Sequence, residues 1–275
     1  MIMKPMIINN PSIGISEIPE YLGLEKGDVV FLSSDIKRIA YNDYCRTGIM
    51  PDLNNLINAF TDIIGAEGTL ILPTYNWGFC HGATFDWKKT KGETGTLGNI
   101  CLKREDFKRT KHPIYSYVVW GKFKEKLCQT DFISSFGRDS VFGFMDRHHT
   151  KHVMIDVNFN RAFTFLHYAE EKVGNLCYRF TKKFTSNYID EQGRSSVRTY
   201  TMYVRNLLMN VYCEMTPFEN EMLEKGIANK IIINDVPYIV VPDVHKTMPY
   251  MEDDIKNNYS LKLSKYNGLE LNFAK

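Results

Sequence analysis

Two short apolar runs, VVFL at residues 29–32 and TLIL at residues 69–72, flank one amphipathic segment, and this arrangement constrains the chain more than any other feature. The first run ends in Ser33-Ser34-Asp35 and the second at Pro73. Short, nearly continuous apolar runs closed by turn residues predict strands buried on both faces. Between them, LNNLINAFTDIIG places Leu53, Leu56, Ile57, Phe60, Ile63 and Ile64 at helical spacing, and Gly65 stands where a C-terminal cap belongs. Strand, helix, strand is a βαβ unit. It predicts a parallel sheet whose site lies at the strand C-terminal ends.

Further patterns extend this frame. Short helices are expected over 15–21 and 100–107, strands over 116–120 and 151–157, and a helix over 163–173. Residues 197–213 fit a strand or a helix. Residues 230–241 read as a hairpin turning at Asn234-Asp235. The stretch 76–98 is rich in glycine and long for a connection, which marks a functional or mobile loop. No repeat, low-complexity tract or linker divides the chain. The expectation is one α/β domain over 1–275: a mostly parallel central sheet flanked by helices, with a β-rich C-terminal elaboration.

Charge excludes one large class. Lys and Arg total 34 against 32 Asp and Glu, a net +2, too balanced for a binder of nucleic-acid backbone. The densest basic stretch, KREDFKRTK, is interrupted by Glu105 and Asp106. The six cysteines form no CxxC unit. With no secretory signal and no apolar stretch of transmembrane length, the reading is a cytoplasmic protein with reduced thiols and no membrane partner. GETGTLG is not a dinucleotide fingerprint, and neither a phosphate loop nor a GxSxG elbow is present. His148, His149 and His152 cluster near Asp146 and offer a metal-assisted hydrolase as one alternative, although hydrated loop histidines are the simpler and favoured reading.

Five segments then occur in a set order: Leu32-Ser33-Ser34; the strand Gly68 to Thr74 (GTLILPT); Arg109-Thr110-Lys111-His112-Pro113; Phe136-Gly137-Arg138-Asp139-Ser140; and TFLHYAE, Thr164 to Glu170. In that order they resemble the aminoglycoside 3-N-acetyltransferase (antibiotic N-acetyltransferase) family, over about residues 25–185. Two positions depart from the family pattern. Leu32 stands where the family often has histidine, and Asp156 where the strand before the Thr-x-x-His helix usually ends in glycine.

The resemblance implies an N-acetyltransferase with acetyl-CoA as co-substrate and no metal. His167 becomes the candidate base, since imidazole titrates near working pH, at about 6.5. Glu170, three residues on, shares its helix face and would orient it. On spacing alone, an incidental helix histidine with a solvated glutamate is the favoured reading, and the resemblance reverses that preference. Thr164 would cap the helix or bind the thioester carbonyl. Ser33, Ser34 and Asp35 would hold the pantetheine amides and pyrophosphate, or simply form a turn. Gly137 and Ser140 offer a second small-residue loop for the coenzyme, Arg109 or Lys111 a phosphate partner, and His112 a supporting role in the site.

The expected acceptor is a small amino sugar. The loop 76–98 sets Lys88, Lys89 and Lys91 against Asp86 and Glu93, which favours a nucleotide-linked amino sugar of surface-glycan biosynthesis over a polycationic aminoglycoside. A monomer or homodimer is expected. A non-catalytic coenzyme- or sugar-binding member of the family is the other alternative.

Overall fold

The two apolar runs lie side by side as parallel strands, Val29 opposite Thr69. The computed structural model describes residues 5–267. In chain order the strands are β1 (Met6–Ile8), β2 (Val29–Ser34), β3 (Thr69–Pro73), β4 (Phe85–Asp86), β5 (Lys108–Arg109), β6 (Tyr117–Gly121), β7 (Lys151–Ile155), β8 (Arg179–Ile189), β9 (Ser195–Arg205), β10 (Val211–Cys213), β11 (Asn229–Ile233), β12 (Val236–Val241) and β13 (Ser264–Tyr266). The helices are α1 (Lys37–Thr47), α2 (Leu53–Ile64), α3 (Thr96–Cys101), α4 (Lys124–Gln129), α5 (Val141–Arg147), α6 (Phe159–Ala162), α7 (Phe165–Val173), α8 (Thr216–Glu224) and α9 (Met248–Asn257).

Eight strands form one sheet in the order β1-β11-β12-β7-β2-β3-β6-β5. Its centre is parallel, β7 to β2 to β3, and so is the edge pair β1 and β11. β12 and β6 flank that centre antiparallel. The expected mostly parallel sheet is therefore a mixed one with a parallel middle. The βαβ unit sets the middle, while β12 arrives as one arm of a hairpin and must run against its partner. That hairpin turns where expected: Asn234 and Asp235 both take positive φ, at 47° and 65°, the geometry of a two-residue turn.

The sheet separates two apolar cores. Val30, Leu32, Leu70, Leu72, Val153 and Ile155 face α2 and α3. Phe31, Ile71, Tyr117, Val119, Met154 and Ile239 face the other way, toward the aromatic residues around α5 and α7. Alternation along fully buried strands explains why the runs read as continuously apolar. α2 buries Leu56, Ile57, Phe60 and Ile64; Asp52 Oδ1 accepts from Asn54 N–H at its start, and Gly65 ends it at φ 66°.

Several elements differ from expectation. α1 buries only Ile39, Ala40 and Asp43, so its sequence carries little helical periodicity. The helix expected over 100–107 is instead α3, five residues N-terminal in its centre and ended by turns. The ambiguous stretch 197–213 is mostly β9, which pairs with β8 in a long hairpin from Arg179↔Arg205 to Ile189↔Ser195. The C-terminal part is not simply β-rich. α8 and α9 pack there, each with a proline in its first turn, and their buried faces are narrow. The hairpin β8–β9 matters most for function, because its first residue reaches α7.

Candidate active site

α7 follows a sharp exit from α6, whose start is capped by Asn158 accepting from Arg161 N–H. Its first turn presents His167. Glu170 lies one turn on and is fully buried. Glu170 Oε2 sits 3.0 Å from His167 Nδ1 and 2.7 Å from Arg179 Nη2. A carboxylate this close to Nδ1 requires a proton between them, so Nδ1–H donates and Nε2 is left as the basic nitrogen. Arg179, the first residue of β8, also lies 3.0 Å from Nδ1, and the three groups share one buried ionic cluster.

The electrostatics follow from that packing. Burial, then the Arg179 charge, hold the His167 pKa below the ordinary imidazole range, against the pull of Glu170. Burial opposes ionisation of Glu170, but the hydrogen bond from His167 and the Arg179 charge outweigh it, so its carboxyl stays below the usual carboxylate range. Nε2 is thus neutral and basic near neutral pH, and Glu170 is ionised.

His167 stands where two cavities meet. A cleft of about 500 Å³ opens between it and the β8–β9 hairpin, walled by Phe136, Phe184, Met202 and Tyr203. A narrower cavity of about 210 Å³ lies on the other side, lined by Tyr75, Thr94, Arg161, Phe163, Thr164 and Cys213. Trp77, Tyr115 and His167 line both. The Phe136 ring packs 5.1 Å from the imidazole and 4.7 Å from Tyr115, fixing His167 against an aromatic wall.

Thr164 faces the narrow cavity. It takes helical angles and its hydroxyl makes no capping hydrogen bond, so the helix-cap role does not hold; Thr164 and Tyr75 line the same cavity. Ser34 ends β2 half-buried, and Asp35 faces Arg161 at 3.8 Å, near the mouth of that cavity. Ser33 is different. It continues the strand, is buried, and its hydroxyl bonds His152 Nε2 at 3.1 Å. Strand pairing to β7 extends two residues past the apolar run, so Ser33 belongs to the sheet and not to a loop.

The other coenzyme candidates are spent on the protein itself. Arg109 is buried, its guanidinium over the Phe85 ring at 4.6 Å, bonded to Ser116 Oγ and to the carbonyls of Trp87 and Thr90. It ties down the long loop and has no face for a phosphate. Lys111 donates to the Gln129 carbonyl. His112 Nδ1 accepts from the N–H groups of Ile114 and Tyr115, and burial pushes its pKa down to about 3. It is a neutral structural histidine that positions Tyr115. Ser140 caps α5, accepting from Gly143 N–H. Gly137 lets its loop close on α7, where Ser134 donates to Glu171 at 2.6 Å. That loop serves the site by presenting Phe136.

His148, His149 and His152 do not converge. His148 stacks on Phe144, His149 bonds Asp243, and His152 is buried in β7. Among the described residues, no group of three His, Cys, Asp or Glu side chains could hold a metal ion. No helix among them is long and apolar enough to cross a membrane. Of the two departures, Leu32 simply fills the core, and Asp156 takes φ 52°, the left-handed conformation that glycine adopts without strain.

Sequence reading missed Arg179, Tyr75, Trp77 and Tyr115. The high aromatic content was the only signal for the last three, and nothing local marks Arg179. Its role exists only once β8 folds back on α7.

A family model for aminoglycoside 3-N-acetyltransferases matches residues 42–244. The SPbeta prophage-derived aminoglycoside N(3')-acetyltransferase-like protein YokD of Bacillus subtilis (strain 168) is 23% identical over an alignment of 182 residues that covers 58% of this chain and 64% of that protein. The match thus spans less than two-thirds of that relative's length. The crystal structure of aminoglycoside acetyltransferase AAC(3)-Xa superposes with a TM-score of 0.70 at 18% identity, covering 87% of this chain and 91% of the other. AAC-IIIb in a binary complex with CoASH gives 0.69 at 16%, covering 89% and 95%. At such identities the structural likeness speaks for the fold alone.

Proposed function

This chain belongs to the aminoglycoside 3-N-acetyltransferase family, and from that premise we propose that it transfers an acetyl group from acetyl-CoA directly to the amine of an amino sugar. The observation that carries the reading is the position of His167: it lines both cavities, with Nδ1 held by Glu170 and Nε2 without a hydrogen-bond partner among the described residues.

The chemistry needs an amine without its ammonium proton, a polarised thioester carbonyl and a defined approach. His167 Nε2 takes the proton as the amine nitrogen bonds to the carbonyl carbon. Glu170 stabilises the imidazolium that forms, and Arg179 keeps Glu170 ionised and in place. The Thr164 hydroxyl in the narrow cavity donates to the carbonyl oxygen as charge develops there. Collapse of the tetrahedral adduct breaks the carbon–sulfur bond, and the coenzyme thiolate takes the proton back from the imidazolium. Ser34 and Asp35, by the mouth of the narrow cavity, are the remaining candidates for contact with the pantetheine chain.

For the acceptor, a nucleotide-linked amino sugar is proposed ahead of an aminoglycoside. Among the described residues, no Asp or Glu lines either cavity, so neither suits a polycation.

The test is turnover of acetyl-CoA, read by thiol release, across aminoglycosides and nucleotide-linked amino sugars. The expected result is turnover with the latter, and a loss of about a hundred-fold in kcat for His167→Ala with acetyl-CoA binding retained. A fully active His167→Ala enzyme rules the base assignment out.

A further inference from the structure

The β8–β9 hairpin builds one wall of the larger cleft, and its charge is unbalanced. Phe180, Lys182 and Phe184 of β8 line the cleft with Met202 and Val204 of β9, and the cross-strand pair Arg179 and Arg205 lines it too, where the hairpin begins and ends. Arg205 ends β9 directly opposite Arg179. Two like charges placed in register repel unless one is neutralised. Arg179 is neutralised by Glu170. Arg205 is not: its one hydrogen bond among the described residues goes from Nη1 to the Val211 carbonyl, 3.0 Å away, which steadies the side chain. Lys182 has no carboxylate within ion-pair distance among the described residues, and its ammonium rests 5.2 Å from the Phe184 ring centroid. The Arg205 charge also reaches His167, lowering its pKa, so this wall and the base share one space.

We infer that Lys182 and Arg205 form an anion subsite for the phosphate groups of the acceptor, placed so that its amine meets His167 Nε2. The inference rests on the acetyl-transfer reading, and it assigns the larger cleft to the acceptor because the thioester carbonyl belongs beside Thr164, on the other side of the imidazole. Trp77, Tyr115 and Phe136 then offer apolar faces to the sugar ring, while the cation pair selects a phosphate ester and repels polycations. Phosphate chemistry is shared with coenzyme A, so the test must separate the two sources.

Two measurements do so. Binding of UDP alone, by calorimetry, reads the subsite without any turnover. Steady-state kinetics with a UDP-linked amino sugar, glucosamine and acetyl-CoA then show which substrate the cations serve. Lys182→Gln and Arg205→Gln should each weaken UDP by about ten-fold or more and raise KM for the UDP-linked sugar by a similar factor relative to glucosamine. Arg205→Lys should restore much of the loss. Lys182 is exposed, so its variant tests the idea even if Arg205→Gln fails to fold. Unchanged UDP binding, or a rise in KM for acetyl-CoA in place of the acceptor, overturns the assignment. UDP binding that is lost in the variants, with no amine acetylated, would sink the acetyl-transfer reading and leave the anion subsite. Acetylation of glucosamine without UDP binding would do the reverse.

Discussion

Arg179 donates to Oε2 of Glu170 at 2.7 Å, and both side chains are almost wholly shielded from water. The pair joins β8 to the helix that carries His167, so one ionic contact fixes both the hairpin and the imidazole. Removing one partner of a buried pair costs about 3–5 kcal/mol, because the other charge is left uncompensated. Arg179→Met should therefore lower the melting temperature strongly. It should also change the pH profile. The Arg179 charge depresses the His167 pKa, so its loss raises that pKa, and a base that must be neutral then needs higher pH. The acid limb of kcat/KM, which in the native enzyme should lie below about pH 6.5, is expected to move upward. An unchanged limb in a folded Arg179→Met enzyme would confine Arg179 to a structural role.

Two other histidines set acid stability. Burial pushes His112 and His152 down to about 3. Both are neutral in the folded protein, while the unfolded chain binds their protons below about pH 6.5. Above that pH they contribute nothing to the pH dependence. As pH falls from there toward 3, the unfolded state gains protons that the native state excludes, and each histidine removes about 1.4 kcal/mol of stability per pH unit. Urea midpoints measured from pH 7 to pH 5 should fall steadily, and His152→Phe should flatten the slope. A slope unaffected by that substitution would mean that His152 is not excluded from protonation.

What the sequence made legible follows the range of the interactions involved. β2, α2 and β3 rest on local periodicity and turn residues, and so does the hairpin at Asn234-Asp235. The likeness of TFLHYAE to a family motif singled out His167 and Glu170, and helix geometry alone brings them together. Arg179 was invisible because a strand must fold back to place it. Arg109 and His112 misled for a related reason: a charged or titratable side chain in a short polar stretch looks available in sequence, yet the core has used the donors and acceptors it offers. The mixed sense of the sheet was hidden too, since apolar patterning does not encode strand direction.

Asp156 is the one departure from the family pattern with a conformational consequence. At φ 52° a Cβ crowds the following carbonyl, a cost of about 1–2 kcal/mol that aspartate bears better than most residues. Its ion pair with Arg38, 2.9 Å, is half in solvent on the arginine side and worth at most about 1 kcal/mol. Asp156→Gly should thus stay within about 1 kcal/mol of the native protein, whereas Asp156→Ala, which keeps the Cβ and loses the pair, should be less stable than the glycine variant by about 1–2 kcal/mol. Chemical denaturation gives the order directly, and an alanine variant as stable as the glycine one would show that the left-handed turn carries no strain.

Thr164 separates a helix cap from a catalytic donor. A capping threonine replaced by alanine costs about 0.5–2 kcal/mol, but the Thr164 side chain makes no cap bond. Thr164→Ala should therefore change stability by less than about 0.5 kcal/mol, as an uncapped position would. If its hydroxyl stabilises the developing oxyanion, kcat should fall by about a hundred-fold with KM for acetyl-CoA little changed, and Thr164→Ser should recover most of the rate. Neighbouring Tyr75 complicates a simple deletion, because its phenol donates to Tyr117 at 3.1 Å and holds the cavity wall independently of Thr164. The wall should thus survive the substitution, which makes kcat the discriminating quantity. A loss of melting temperature with unaltered kcat would return Thr164 to a purely structural place at the start of α7.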